Sequence, residues 1–273
     1  MTPTRAQPAR VLHLTDTHLR AAPAARLIGI DTEATLRAVL ARAFADPVAA
    51  DGVDLVIASG DIAHDPEPSA YRRFLQVLRA FHSGALLCVP GNHDLLAPMA
   101  DAGLVAGLPA ELRVGSWGLI GFDSHRDDQV QAGLTTDDLE LLRASLDAST
   151  ASHLLAVCHH PPVAVGCPWL DKDRIAPGAE LIELLAGQPR VRGLLFGHLH
   201  QVVDVAGVGL RLLGTPSTCF QFAPRSERFT IDTDDESGQP GYRWLLLGND
   251  GALETQVQRV PDFSMSIDLA DRS

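Results

Sequence analysis

The sequence predicts an α/β fold of two packed sheets with helices outside, and three observations carry that reading. A chain of 273 residues with 46% hydrophobic content can bury the core of one large domain and suits that better than two small ones. Its first two thirds alternate short runs rich in Val, Leu and Ile with stretches of helical period, the pattern of strands crossed by helices. Beyond residue 200 the texture changes to closely spaced strand-like pieces with glycine-rich turns, which predicts a second, mainly antiparallel sheet.

In order, the apolar runs are VLHLTD from residue 11, VDLVIASGD at 53–61, ALLCVPGNHD at 85–94, GLIGFDS at 118–124, HLLAVCHH at 153–160 and RGLLFGHLH at 192–200. Between them, 32–45 sets Leu36, Val39, Leu40 and Ala43 on one helical face, and 68–81 does the same with Tyr71, Phe74, Leu75 and Leu78. The stretch 135–146 opens with a threonine cap and acidic first-turn residues, and 177–185 opens with Pro177, which suits a first turn. The later pieces are VVDVAG, LRLLGT, ERFTID, YRWLLLGNDG and ALETQVQRV. A single domain over 1–260 is expected, followed by a flexible acidic tail at 261–273.

A formal net charge of −12 disfavours a protein that grips long nucleic acid, which would need concentrated Lys and Arg. A small anionic substrate stays compatible, because a bound metal ion can dominate the local charge. Cys88, Cys158, Cys167 and Cys219 are scattered without a C-x-x-C pair, so neither a zinc knuckle nor a disulfide framework is indicated, and a reducing, cytoplasmic setting fits. The opening MTPTRAQPAR lacks the apolar stretch of a signal peptide, and no run approaches membrane-spanning length, so a soluble protein without a membrane partner is expected. The oligomeric state, monomer or homodimer, stays open.

Five of the six apolar runs end in residues of metal-ligand type, and ligands in α/β folds commonly bind beyond the carboxyl ends of strands. These ends are Asp16-Thr17-His18, Gly60-Asp61, Gly91-Asn92-His93-Asp94, His159-His160-Pro161-Pro162 and Gly197-His198-Leu199-His200. In an extended segment residues i and i+2 point the same way, so Asp16 with His18, and His198 with His200, are expected to converge. Glycines at 60, 91 and 197 allow a sharp turn and close backbone approach. Hard oxygen donors mixed with imidazoles, without thiolate, favour Fe, Mn or Zn. Singly, each piece has a plain reading as a turn or a packed histidine; five in this order do not.

The ordered set D-x-H, GD, GNHD, H-x-P and GH-x-H resembles the signature of the calcineurin-like metallophosphoesterases, from Val11 to about Val260. LIGIDT, GCPWLD, GTPSTCFQF and PGYRWLLL further resemble the bacterial class III 3',5'-cyclic-AMP phosphodiesterases. The resemblance implies a four-layer αββα sandwich of two mixed sheets and a centre of two metal ions, Fe and Mn favoured over Zn. It implies that Asp16, His18, Asp61 and His200 hold one metal, and Asp61, Asn92, His159 and His198 the other, with Asp61 bridging. The implied reaction is attack of a metal-bound hydroxide on cyclic AMP, cleaving the 3' ester to give 5'-AMP. His18, Asp61, Asn92, His93 and His200 are then expected to line the substrate. His93 is the candidate proton donor to the leaving oxygen, with Asp94 expected to orient its ring, and His160 is left a supporting or structural role.

Trp169, Phe220 and Phe222 are candidates for the adenine pocket, and His64 and Asp65 for its rim; His13, His82, His125 and His153 are expected to be structural or superficial. The nearest rival is a phosphodiesterase for glycerophosphodiesters or other small diesters. A protein phosphatase is disfavoured by IAHD after Asp61, which lacks the D-R-G arginine. A noncatalytic protein-binding scaffold is disfavoured because every ligand of the signature is present.

Overall fold

The structure, a computed structural model, describes residues 7–125, 132–207 and 210–269. Along these the chain forms β1 (Ala9–Leu14), α1 (Thr32–Phe44), β2 (Leu55–Ser59), α2 (Pro68–Arg79), β3 (Ala85–Val89), α3 (Leu96–Asp101), β4 (Ala110–Val114), β5 (Trp117–Gly121), α4 (Thr136–Ala148), β6 (His153–Val157), α5 (Gly178–Ala186), β7 (Val191–Phe196), β8 (Val203–Gly207), β9 (Leu210–Gly214), β10 (Gly241–Leu247) and β11 (Leu253–Arg259). Local chemistry sets the helix starts. Asp31 caps α1 by accepting from Ala34 N, Pro68 opens α2, and Thr135 with Asp138 forms a reciprocal capping box on α4.

Two mixed sheets result, with strand orders β11-β10-β1-β2-β3 and β4-β5-β6-β7-β9-β8. The parallel strands β1, β2 and β3 neighbour one another, as do β5, β6, β7 and β9. Being buried on both faces, β2 (LVIAS) and β5 (WGLIG) read as continuous runs without alternation. Between the sheets Val11, Ile57, Leu87 and Val89 meet Trp117, Leu155, Leu195 and Leu213. Outside, α1 and α2 cover the first sheet through Leu36, Leu40, Tyr71 and Phe74, while α4 and α5 cover the second through Leu142, Leu146, Leu181 and Leu185. The architecture is the four-layer αββα sandwich. Among the described residues no helix is long and apolar enough to cross a membrane.

The last strands depart from expectation in their partners. They do not make a sheet of their own: β8 and β9 extend the second sheet beside β7, whereas β10 and β11 return to the first. β10, buried at six of its seven positions, needs cover on both faces and finds it beside β1. ERFTID contributes only an isolated bridge between Phe222 and Ile231. The strand β4, unmarked by any apolar run, forms by pairing with β5 across Gly115. In the expected tail, Met265 and Ile267 pack against a cluster containing Leu27, Ile28 and Ile30, and Asp268 N donates to Ile28 O at 2.8 Å; positions 270–273 lie outside the described residues.

Candidate metal centre

The strand-end loops lie side by side because the backbone pairing of β1 and β2 continues beyond the strands. Asp16 N donates to Gly60 O, His18 N to Asp61 O, Leu19 N to Ile62 O and His64 N to Leu19 O, at 2.9–3.0 Å. Of eight non-glycine residues with positive φ among the described ones, five are Asp16, His18, Asp61, His198 and His200. Asp16/His18 and His198/His200 therefore converge by left-handed turns, not by the extended i, i+2 geometry expected above. Left-handed backbone in such residues is uncommon and costs energy that the surrounding structure must offset, a feature that clusters at functional sites. Gly60 makes a true left-handed turn at φ +95°, whereas Gly91 and Gly197 serve close approach: a methyl on either would overlap the Asp61 or Thr15 and Asp16 side chains.

All seven candidate ligands meet. His200 Nε2 lies 3.3 Å from Asp16 Oδ1 and 3.2 Å from His18 Nε2, and His18 Nε2 lies 3.6 Å from Asp61 Oδ2. On the other side of Asp61, His159 Nε2 lies 3.4 Å from Asp61 Oδ2 and 3.2 Å from Asn92 Oδ1, which is 3.0 Å from His198 Nδ1. Two rings are fixed from behind: His159 Nδ1 donates to Ser59 O at 2.8 Å and His200 Nδ1 to Phe220 O at 2.7 Å. A proton on Nδ1 leaves Nε2 a bare lone pair. Lone pairs of imidazoles and carboxylates thus face one another in a buried space, an arrangement that repels itself without cations and fits metal ions.

The charges respond to this crowding. Burial pushes His18 well below the ordinary histidine value and His198 to about 3. Burial opposes ionisation of Asp61 too, yet His159 and His93 hold its carboxyl well below the usual range. Against burial, Asp61 and Asp16 lift His159 to about 9, so without metal a second proton sits on its Nε2, one that an incoming ion would displace to free the lone pair. His160, fully buried, supports this corner: Ser124 Oγ lies 3.0 Å from its Nδ1 and accepts from the backbone N–H of both His159 and His160.

The GNHD loop divides differently from the expectation. His93 lies at the cavity mouth, its ring 5.0 Å from that of His18 and stacked on His64 at 4.6 Å, while its N–H donates to Asp61 Oδ1. Asp94 does not orient it. The Asp94 carboxylate, 1% exposed, accepts from the N–H groups of Ile62, Ala63 and Gly91 at 2.9–3.1 Å, so it clamps the GNHD loop onto the Asp61 loop. The Tyr71 hydroxyl adds a fourth hydrogen bond to these three backbone donors, and burial together with the nearby Asp61 charge raises it to about 6.

A cavity of about 330 Å³ opens on the centre, lined by His18, Asp61, Asn92, His93, His198 and His200 on one side and by Trp169, Phe220, Phe222 and Phe229 on the other. Phe222 stacks on His200 at 4.3 Å and meets Trp169 edge-on at 4.9 Å; Phe220 stacks on His18 at 6.1 Å. Phe229 was not legible in the sequence, where ERFTID reads as a strand. Asp65 does not reach this cavity wall; it accepts from Arg20 Nε and Ala21 N. A larger cavity of about 800 Å³ lies behind His200 and Phe222, largely walled by Val163, Val165, Ile182 and Leu212, and of the seven candidate ligands only His200 lines it.

A sandwich whose strand-end loops gather such donors defines a class, and the chain belongs to the calcineurin-like phosphoesterase family, whose model matches residues 9–202. Within that family it is similar to the 3',5'-cyclic adenosine monophosphate phosphodiesterase CpdA of Pseudomonas aeruginosa, 39% identical over 259 residues that cover 94% of this chain and 92% of that one. The protein of the same name from Escherichia coli strain K12 is 37% identical over 264 residues, covering 96% and 93%. Among solved structures, a dimetal phosphatase from Danio rerio shares the fold with a TM-score of 0.62 at 13% identity, over 93% of this chain and 99% of that one.

Proposed function

We propose that this chain hydrolyses 3',5'-cyclic AMP at the 3' ester bond to give 5'-AMP, using two metal ions, Fe or Mn ahead of Zn. The observation that carries the reading is the meeting of seven donors, their lone pairs facing one another, at the foot of an aromatic-walled cavity. The substrate assignment is supported by the relatives named as cyclic AMP phosphodiesterases at 37–39% identity over nearly whole chains. In this reading Asp16, His18, Asp61 and His200 hold one ion, and Asp61, Asn92, His159 and His198 the second. When bound, such a pair supplies a clamp for the phosphate and a water acidic enough to attack phosphorus near neutral pH.

The residues of the chain do the rest. Asn92 gives an oxygen ligand without adding negative charge beside an anionic substrate. His18, Asp61, Asn92, His93 and His200 border the space for phosphate and sugar. His93, at the mouth, hands a proton to the departing 3' oxygen, help that typically contributes about 10²- to 10⁴-fold. Trp169, Phe222 and Phe229 offer faces and edges to a purine and keep bulk water from it. The four cysteines, free and buried, suit a reducing compartment, and the cytoplasm is the proposed location.

A substrate panel tests this. Metal-stripped protein, restored with Fe, Mn or Zn, is assayed on cyclic AMP, cyclic GMP, glycerophosphodiesters and an activated aryl diester. Cyclic AMP is expected to give the highest kcat/KM among the natural diesters, with 5'-AMP as the sole product. Turnover of glycerophosphodiesters above that of cyclic AMP overturns the substrate assignment.

A further inference from the structure

We infer that His64 is a positioning residue for the metal centre, its Nδ1 accepting the Nδ1–H of His18 and so presenting His18 Nε2 as a bare ligand nitrogen. The inference rests on the dimetal reading of the site. His18 has two ring nitrogens with opposite surroundings. Its Nε2 faces Asp61 Oδ2 at 3.6 Å, Asp16 Oδ1 at 4.0 Å and His200 Nε2 at 3.2 Å, whereas its Nδ1 lies 3.4 Å from Nδ1 of His64. A neutral imidazole carries one proton, and only the tautomer with that proton on Nδ1 leaves Nε2 free to bind an ion. His159 and His200 have backbone carbonyls behind their rings for this purpose, at Ser59 and Phe220. For His18 the side chain of His64 stands in the place of such a carbonyl.

The position of His64 is built rather than incidental. The backbone ladder that aligns the two loops ends with His64 N donating to Leu19 O at 2.9 Å, which sets His64 beside His18. Stacking on the His93 ring, with centroids 4.6 Å apart and planes 25° apart, holds the ring plane from its other side. Partners of ligand histidines typically govern metal affinity by about 10- to 100-fold.

The test is binding of Mn(II) alone to metal-stripped full-length chains, with ions per chain and affinities read without any diester, beside melting temperatures. Three variants are compared: H64L, which keeps bulk without an acceptor; H64A; and H64N, whose amide oxygen takes the place of Nδ1. Two ions per wild-type chain are expected. H64L and H64A should weaken one of them about 10- to 100-fold, and H64N should recover most of that loss. If H64L binds both ions as the wild type does, or H64N is as weak as H64L, His64 does not position His18. A wild-type chain that fails to bind two ions overturns the dimetal reading itself, and this inference with it. A wild-type chain that binds two ions without hydrolysing cyclic AMP sinks only the substrate assignment and leaves this result standing.

Discussion

His93 and Asp94 are neighbours in sequence with separate tasks. The Asp94 carboxylate satisfies three buried N–H groups, each of which costs roughly 1–3 kcal/mol if left without a partner. D94A is therefore expected to lower stability by at least about 2 kcal/mol in urea unfolding and to loosen metal binding, because the loop carrying Asn92 is freed. Unchanged stability would show that the clamp is unimportant. H93A should leave stability near wild type and, with metal in excess, both ions bound. It should slow diesters with an alkoxide leaving group far more than those releasing nitrophenolate, which needs no proton; equal slowing of the two would remove His93 from the proton-donor role. In the proposed dimetal site Asn92 is a ligand of the second ion: N92A is expected to lose that ion, read as metal content per chain, and with it nearly all turnover.

At the scale of elements, the site is made by strand ends, and this part was legible in the sequence. The runs ending in DTH, GD, GNHD, HH and GHLH each become a strand followed by a loop at one edge of the sandwich, and the threonine cap expected at Thr135 is in place. The route by which donors converge was not legible. Left-handed turns at Asp16, His18, His198 and His200 depend on hydrogen bonds to loops distant in sequence, such as Asp16 N to Gly60 O, which no local pattern encodes. Phe229 escaped for a similar reason: its segment has strand-like composition but is held by Phe222 and Trp169 around the cavity. Close approach also makes a test at this scale. A methyl at Gly91 would fall on the backbone N and carboxylate of Asp61, whereas one at Gly207 meets nothing within 4 Å. G91A should therefore displace the Asp61 carboxylate proposed to bridge the ions and lose bound metal, while G207A should keep both metal and fold; full metal occupancy in G91A would show that the loops have room to part.

The molecule as a whole is two sheets held mostly by apolar contact, and a buried polar bridge through His13 is among the contacts that cross between them. His13, fully buried on β1, has Nε2 2.7 Å from Ser59 Oγ in its own sheet and Nδ1 2.7 Å from Thr215 Oγ1, which follows β9 of the other. Thr215 Oγ1 in turn accepts from Arg243 Nε on β10 at 3.2 Å. Each hydroxyl can donate or accept, so Ser59 and Thr215 between them satisfy both ring nitrogens of neutral His13. Burial first, then the charge of Arg243, lowers His13 from 6.5 to about 3. The unfolded chain takes up a proton at His13 near pH 6.5 while the folded one refuses it until about pH 3, so stability present above pH 6.5 is lost as the pH falls through that window. The slope for one such group is about 1.4 kcal/mol per pH unit, or about 2 kcal/mol between pH 6.5 and 5. H13Q, whose amide can still both donate and accept between the two hydroxyls, removes the titration. Comparing urea unfolding of metal-free wild type and H13Q at pH 7.5 and pH 5 cancels the acid response that the site histidines share. Wild type should lose about 2 kcal/mol more than the variant over that interval; parallel losses would mean that His13 does not set the acid limit of the sandwich.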